Sequence, residues 1–174
     1  MIATADPGLS SDDRFVAAVA ALVNEVYAAA EEGIWIDGTV RTNSAEIAAM
    51  ISAGELVVAR EDDEVVGAMR LQSLPSGEGE FGMLVAHPER RGAGIGRDLI
   101  AYAESWARSE GLKTMQLELL YPRTWTHPVK KFLHDWYNRL GYEVVRHGDF
   151  AEDYPALVPR LATPCDFLVF HKTL

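Results

Sequence analysis

A glycine-rich loop between an apolar strand and a helix is the feature of this sequence that most restricts its fold. The run Glu80–Ala86 has the composition of a strand, and the residues after the loop place apolar side chains at helical spacing. Between them stand three alternating glycines, Gly92, Gly94 and Gly96. The order strand, glycine loop, helix indicates a sheet with helices packed on it.

The loop also has the composition of an anion site. Glycine lacks a Cβ, so consecutive backbone N–H groups can turn inward, and the start of the helix adds the positive end of its dipole. Arg90, Arg91 and Arg97 can supply charge at the rim. A P-loop is excluded because Arg97-Asp98 stands where Lys-Ser/Thr is needed, and GxGxG is not the dinucleotide fingerprint. A glycine turn of purely structural use is the alternative.

The rest of the chain reads as a succession of helices and strands. We predict helices at Phe15–Glu32, Ala45–Ala53, Gly94–Gly111 and Pro128–Leu140. We predict further strands at Glu55–Arg60, Val65–Leu71, Lys113–Tyr121, Gly141–Val145 and Phe167–Phe170. No repeat or linker divides the 174 residues, and 48% of them are hydrophobic, so we expect one domain over residues 1–174.

Charge and cysteine content restrict the partners. The formal net charge of -10 makes nucleic acid an unsuitable partner and favours a cationic or amine substrate, although acidity also serves solubility alone. The single cysteine, Cys165, cannot form an internal disulfide, so we expect a reducing, cytoplasmic setting. The apolar run Val16–Val23 lacks a basic leader and is too short to span a membrane.

The run Leu84–Gly96 contains Arg91, Gly94 and Gly96 in the pattern Arg-x-x-Gly-x-Gly. A second motif is a tyrosine four residues before a Gly-aromatic pair, here Tyr137 before Gly141-Tyr142. Both resemble motifs of the GNAT superfamily of N-acetyltransferases, in which the first, Arg/Gln-x-x-Gly-x-Gly/Ala, is the acetyl-CoA signature. The resemblance implies an α/β (α+β) fold: a mixed, mostly antiparallel, twisted sheet of six to seven strands flanked by about four helices.

The same resemblance implies how acetyl-CoA is bound as the acyl donor. The backbone of Leu84, Val85 and Ala86 would pair with the pantetheine arm, and the loop would hold the pyrophosphate. The residues of that loop are Arg91, Gly92, Ala93, Gly94, Ile95, Gly96 and Arg97. Lys130 stands where the family often has asparagine, and we expect it to contact a CoA phosphate. No metal is expected.

Three residues are candidates for the chemistry. An amine with a pKa near ~10.4 is almost entirely protonated at pH 7, so its attack benefits from a base. Glu80 has the place of a family base, and alternation would put it on one strand face with Gly82 and Leu84. Glu118, on the strand after the helix, is the second candidate. Tyr137 is the candidate acid for the departing thiolate; a solvated or packing role is the alternative for each.

We therefore expect an N-acetyltransferase that transfers acetyl from acetyl-CoA to a primary amine of a small molecule by direct attack. One alternative is a CoA-binding sensor or interaction module without catalysis, which Lys130 in the asparagine place favours. Another is an acetyltransferase for a protein N-terminus or lysine. A homodimer that pairs through the C-terminal strand segment is also expected.

Overall fold

A computed structural model describes all 174 residues. Its strands are β1 Ile2–Thr4, β2 Leu56–Glu61, β3 Glu64–Ser73, β4 Gly79–Ala86, β5 Thr114–Pro122, β6 Glu143–Asp149 and β7 Cys165–Thr173. Its α-helices are α1 Asp13–Ala30, α2 Ser44–Ser52, α3 Ile95–Ser109, α4 Pro128–Arg139 and the short α5 Phe150–Asp153. Single 3-10 turns cover Pro7–Ser11, Pro88–Arg90 and Val158–Arg160. Every predicted helix and strand is present; β1 and α5 were not predicted.

The strands form one sheet in the order β1-β2-β3-β4-β5-β7-β6, in which only β4 and β5 are parallel. The predicted mixed, mostly antiparallel sheet with about four helices is therefore confirmed. The parallel pair is bonded at only two positions, Gly79 with Met115 and Glu80 with Gln116. Beyond Glu80 the two strands no longer pair, so a cleft opens in the middle of the sheet towards their carboxyl ends.

Helices cover both faces of the sheet. On the face that we call the α3 face, residues of α3 and α4 pack on Leu71, Phe81 and Leu117. On the opposite face, the α1 face, residues of α1 and α2 pack on β2, β3 and β4. A third cluster, which includes Phe150 and Trp35, covers β7 on that same α1 face. Between the second and third clusters, the α1 face lacks an apolar cover over the start of the cleft.

A β-bulge in β4 changes which side chains face which helices. Met83 has a φ of +53°, and the register between β3 and β4 shifts opposite it. As a result Met83 and Val85 pack on the α1 face, whereas Leu84 joins Phe81 against the α3 cluster. The expectation that Glu80 and Leu84 share a face is therefore wrong, because simple alternation does not survive the extra residue.

Close packing at Gly67 brings the start of α3 onto the sheet. A Cβ on Gly67 of β3 would lie 2.6 Å from Cγ2 of Ile95 and 3.1 Å from the carbonyl oxygen of Val85. No real side chain tolerates such a contact, so glycine is required where the first residue of α3 meets β3 and β4. This contact places the glycine loop at the open end of the cleft.

Candidate active site

The glycine loop presents a row of free backbone donors. Gly92 and Gly94 have φ values of +86° and +85°, which only glycine adopts without strain, and Gly94 is the N-cap of α3. The N–H of Asp98 is the first N–H of the helix that donates to a backbone carbonyl oxygen, that of Gly94. Five N–H groups therefore make no bond within the protein: those of Gly92, Gly94, Ile95, Gly96 and Arg97. Such a row at the start of a 15-residue helix suits a pyrophosphate.

The arginines around the loop have different partners. Arg91 is exposed and makes no ion pair. Arg97 folds back over the loop, with Nη2 3.0 Å from where a Cβ on Gly94 would lie, and pairs with its neighbour Asp98 at 3.1 Å. Arg90 instead donates to Glu61 of the β2–β3 hairpin at 2.8 Å. Arg91 is thus available to an anion, and Arg97 lies over the loop with only an exposed pair to its neighbour, whereas Arg90 connects the turn before the loop to the hairpin.

The free edge of β4 leads from the cleft to this loop. Val85 and Ala86 pair on one side with β3 and Leu84 lies in the bulge, but the other edge of all three residues has no strand partner because β5 has diverged. Unpaired strand edges bind extended polar chains through backbone hydrogen bonds. The edge ends where the loop begins, so one extended ligand with a terminal phosphate can follow both.

Glu80 lies where the cleft begins, on the α1 face. Its Oε1 accepts from Nε2 of Gln72 at 3.0 Å, and its Oε2 accepts from Nε2 of Gln116 at 2.7 Å. Oε1 of Gln116 in turn accepts from Nε2 of His171 at 2.7 Å. This chain of donors fixes both oxygens of the carboxylate, so Glu80 has one defined position at the apex of the cleft.

Glu118 lies two residues beyond Gln116 on the same face of β5. Its Oε2 accepts from the hydroxyl of Tyr154, which follows α5, and its Oε1 makes no hydrogen bond. Loss of solvent within the groove raises the pKa of Glu118, and the charge of Glu80 raises that pKa further, against the hydrogen bond from Tyr154. Water still reaches the side chain, so the shift reflects the groove walls rather than full burial.

Tyr137 approaches from the α3 face. Its side chain is 6% exposed and packs against Phe81, Tyr142 and Phe170, yet its hydroxyl makes no hydrogen bond. Burial raises the pKa of Tyr137 well above its usual value, and Tyr27 of α1 adds to that shift. Phe81 belongs to β4 and Phe170 pairs with Leu117 of β5, so the ring of Tyr137 packs across the sheet where β4 and β5 separate.

This geometry combines an anion loop, a free strand edge and acidic groups at one cleft. A model of the acetyltransferase (GNAT) family matches residues 20–142. The chain belongs to the GNAT acetyltransferase family. It is therefore an acetyl-CoA-dependent acetyltransferase, as the motifs predicted. Among curated proteins, none matches the chain in sequence.

Solved structures share the acetyltransferase fold. PaiA N-acetyltransferase from Thermoplasma acidophilum, in complex with coenzyme A, has a TM-score of 0.73 at 14% identity, over 100% of this chain and 98% of its own. Aminoglycoside 6'-acetyltransferase type Ii has a TM-score of 0.67 at 22% identity, over 99% and 96%. An acetyltransferase structure from Bacillus anthracis with acetyl coenzyme A has a TM-score of 0.56 at 15% identity; it matches 68% of this chain, which spans only 61% of it. At these identities the likeness shows the fold.

Lys130 of this GNAT acetyltransferase does not lie where a CoA phosphate would need it. Its Nζ is buried and bonds to Oε2 of Glu31 at 2.6 Å. A cation already paired in the interior is not available at the exposed loop, so the expected phosphate contact is incorrect. Lys130 instead connects α4 with the end of α1.

Several residues of the site escaped the sequence analysis. Gln72, Gln116 and His171 hold Glu80, and Tyr154 donates to Glu118. These partners come from four separate segments, so only the register of the sheet brings them together. Gly67 was also missed, although a glycine within a strand pattern is itself a signal of close backbone approach.

Two negative findings concern the whole structure. No group of three or more His, Cys, Asp or Glu side chains is placed to hold a metal ion. None of the helices combines the length and the apolar character needed to cross a membrane.

Proposed function

We propose that this protein transfers the acetyl group of acetyl-CoA to a primary amine of a small molecule by direct attack. The observation that carries the proposal is the cleft between β4 and β5, which joins the anion loop to Glu80, Glu118 and Tyr137. The donor would follow the free edge of β4, with Arg91 and the loop amides on its pyrophosphate. The acceptor would enter the groove on the α1 face, where the carboxylates lie.

A carboxylate in this groove would remove the proton of the incoming ammonium. At ~1.36 kcal/mol per pKa unit, deprotonating an amine with a pKa near ~10.4 at pH 7 costs roughly 4.6 kcal/mol. Glu80 is our first candidate base because two amide donors hold it at the apex of the cleft. Glu118 is the second candidate, since its raised pKa makes it a stronger base and its Oε1 is free.

Residues of β4 and α4 would carry out the remaining steps. The amine nitrogen forms a bond to the acyl carbon, and the negative charge on the carbonyl oxygen would be met by a backbone N–H near Leu84 or Val85, beside the bulge. When the carbon–sulfur bond breaks, Tyr137 would give its proton to the thiolate, and the attacking nitrogen would lose its second proton to water, which would return a proton to Tyr137. A tyrosine, with an ordinary pKa near ~10, carries this proton at neutral pH, and the hydroxyl of Tyr137 has no competing hydrogen-bond partner.

The groove favours a small cationic acceptor. Tyr154, which follows α5, extends over the sheet and donates a hydrogen bond to Glu118. The segment after β6 therefore limits the space in the groove above the sheet. The net charge of -10 attracts cations, and one structural relative is named for an aminoglycoside. The alternative of a CoA-binding module without catalysis depended on Lys130 in the asparagine place. Because Lys130 pairs with Glu31 inside the fold, it no longer supports that alternative.

The test is an acceptor screen with labelled acetyl-CoA. We expect free thiol release together with a labelled small-molecule amine identified by mass spectrometry. Peptides with a free N-terminus or lysine, tested in parallel, would address the protein-substrate alternative. Tight binding of acetyl-CoA by calorimetry, with no thiol release across the panel, would instead establish a binding module and refute the proposal.

A further inference from the structure

The ion pair between Glu31 and Lys130 is buried in the interior of the protein. The side chains are 7% and 6% exposed, and Oε2 and Nζ lie 2.6 Å apart. The second carboxylate oxygen of Glu31 accepts from Nε1 of Trp35 at 3.3 Å. Burying both charges carries a large desolvation cost, and apolar residues of similar size would stabilise the fold as well or better. Stability alone therefore does not explain why a salt bridge stands here.

The pair joins helices from opposite faces of the sheet. Glu31 directly follows α1, which packs on the α1 face, and Lys130 is in the first turn of α4, which packs on the α3 face. Lys130 comes shortly after Pro122, the last residue of β5, and Glu31 is bonded to Lys130. The pair thus lies at the carboxyl end of β5, where β4 and β5 are no longer paired.

A second contact reinforces this connection. Nδ1 of His127 accepts from the amides of Val129 and Lys130 at 3.2 and 3.4 Å, which caps α4. Its Nε2 must then carry the proton, and donates to the carbonyl oxygen of Glu32 at 3.0 Å. His127, which caps α4, is therefore bonded to Glu32, and Lys130 in the first turn of α4 is bonded to Glu31.

Helical periodicity relates each charge of the pair to a tyrosine of the same helical segment. Tyr27 is one turn before Glu31, and Tyr137 is two turns after Lys130, so each tyrosine lies on the same stripe of its helix as the paired charge. Any shift or rotation of α4 relative to α1 would move the hydroxyl of Tyr137 with respect to the cleft. A short directional bond resists such shifts better than apolar contacts do.

We propose that Glu31 and Lys130 are positioning residues, whose buried ion pair holds α4 against α1 across the open end of the cleft and so fixes the hydroxyl of Tyr137 at the reacting centre. The catalytic part of this inference rests on the proposed function. The pair acts through Tyr137 and touches neither substrate.

The test uses an apolar double variant, Glu31→Met with Lys130→Met, because either single change would leave one buried charge unpaired and risk unfolding. We expect a thermal midpoint and an acetyl-CoA Kd close to those of the wild type, with kcat lower by about 10- to 100-fold. If the ion pair only supported the fold, the double variant would not lower kcat while affinity and stability stayed unchanged. A double variant with wild-type kcat would overturn the inference.

A second measurement does not depend on turnover. With 3-fluorotyrosine at position 137, the fluorine resonance of the otherwise wild-type protein should be single and narrow, and the double variant should shift or broaden it. An unchanged resonance would refute the positioning role even if no acceptor is ever found. Conversely, a shifted resonance in a protein that acetylates nothing would refute the proposed function and retain the structural part of the inference.

Discussion

Glu80 of β4 and Gln116 of β5 are the last residues paired between the two parallel strands, and their side chains bond across the same position at 2.7 Å. The point where the sheet opens is therefore also the point where a carboxylate is fixed. Gln72 holds the other oxygen of Glu80 from the neighbouring strand β3. This arrangement makes the function of Glu80 testable apart from the shape of the cleft.

Glu80→Gln should lower kcat by about 10²- to 10⁴-fold if Glu80 is the base, because the amide cannot accept the proton of the ammonium. The Kd for acetyl-CoA should stay at the wild-type value, since Glu80 lies on the acceptor side. Glu143→Gln, at an exposed glutamate of β6 without a side-chain partner, is the matched control. If Glu80→Gln keeps full activity and Glu118→Gln loses it, the base is Glu118.

Glu118→Gln should stabilise the protein at neutral pH. A carboxyl whose pKa is raised on folding binds its proton more tightly in the folded state, so stability falls as the pH rises from the unfolded value, near ~4.3, through the folded one. Glutamine at position 118 does not ionise, so this loss of stability is removed, and its amide oxygen can still accept the hydrogen bond from Tyr154. We expect a higher thermal midpoint than wild type at pH 7 and a smaller difference at pH 4. An equal difference at both pH values would argue against the raised pKa.

Tyr137→Phe should reduce kcat by about 10²-fold or more, with the thermal midpoint almost unchanged, because the hydroxyl makes no hydrogen bond that folding would lose. The control is Tyr142→Phe in the same cluster. The hydroxyl of Tyr142 donates to Glu104 at 2.9 Å, so its loss should cost about 1 kcal/mol of stability and leave kcat unchanged. Equal kcat values for the two variants would remove Tyr137 from the mechanism.

Gly92→Ala should weaken acetyl-CoA binding about tenfold. A Cβ at a φ of +86° costs about 1–2 kcal/mol, and a loop that relaxes to avoid this strain turns its amides away from the phosphates. Gly54→Ala is the control, since Gly54 ends α2 at a φ of +72° and, like Gly92, has nothing within 4 Å of the added Cβ. Calorimetry should show lower affinity only for the first variant; equal losses would point to a general effect of destabilisation.

Local patterns predicted most of the elements and the donor loop because they depend on neighbours in the chain. The limits of α3 and α4 follow from helical spacing, Gly94 and Pro128, and these positions agree with the structure. The face of Leu84 was predicted incorrectly because a bulge depends on how β3 and β4 pair, which periodicity does not contain. The phosphate contact of Lys130 failed for a similar reason, since its partner Glu31 is 99 residues away.

The sequence by itself determined the family, the order of the elements and the loop that suits a pyrophosphate, since each depends on a contiguous run of residues whose backbone preferences are local. Only the tertiary structure decided where the sheet opens, which side chains hold Glu80, and that Lys130 pairs with Glu31. These relationships depend on strand register and on which helix faces meet. Both are set by the packing of residues far apart in the chain, because only the assembled core brings them within reach of one another.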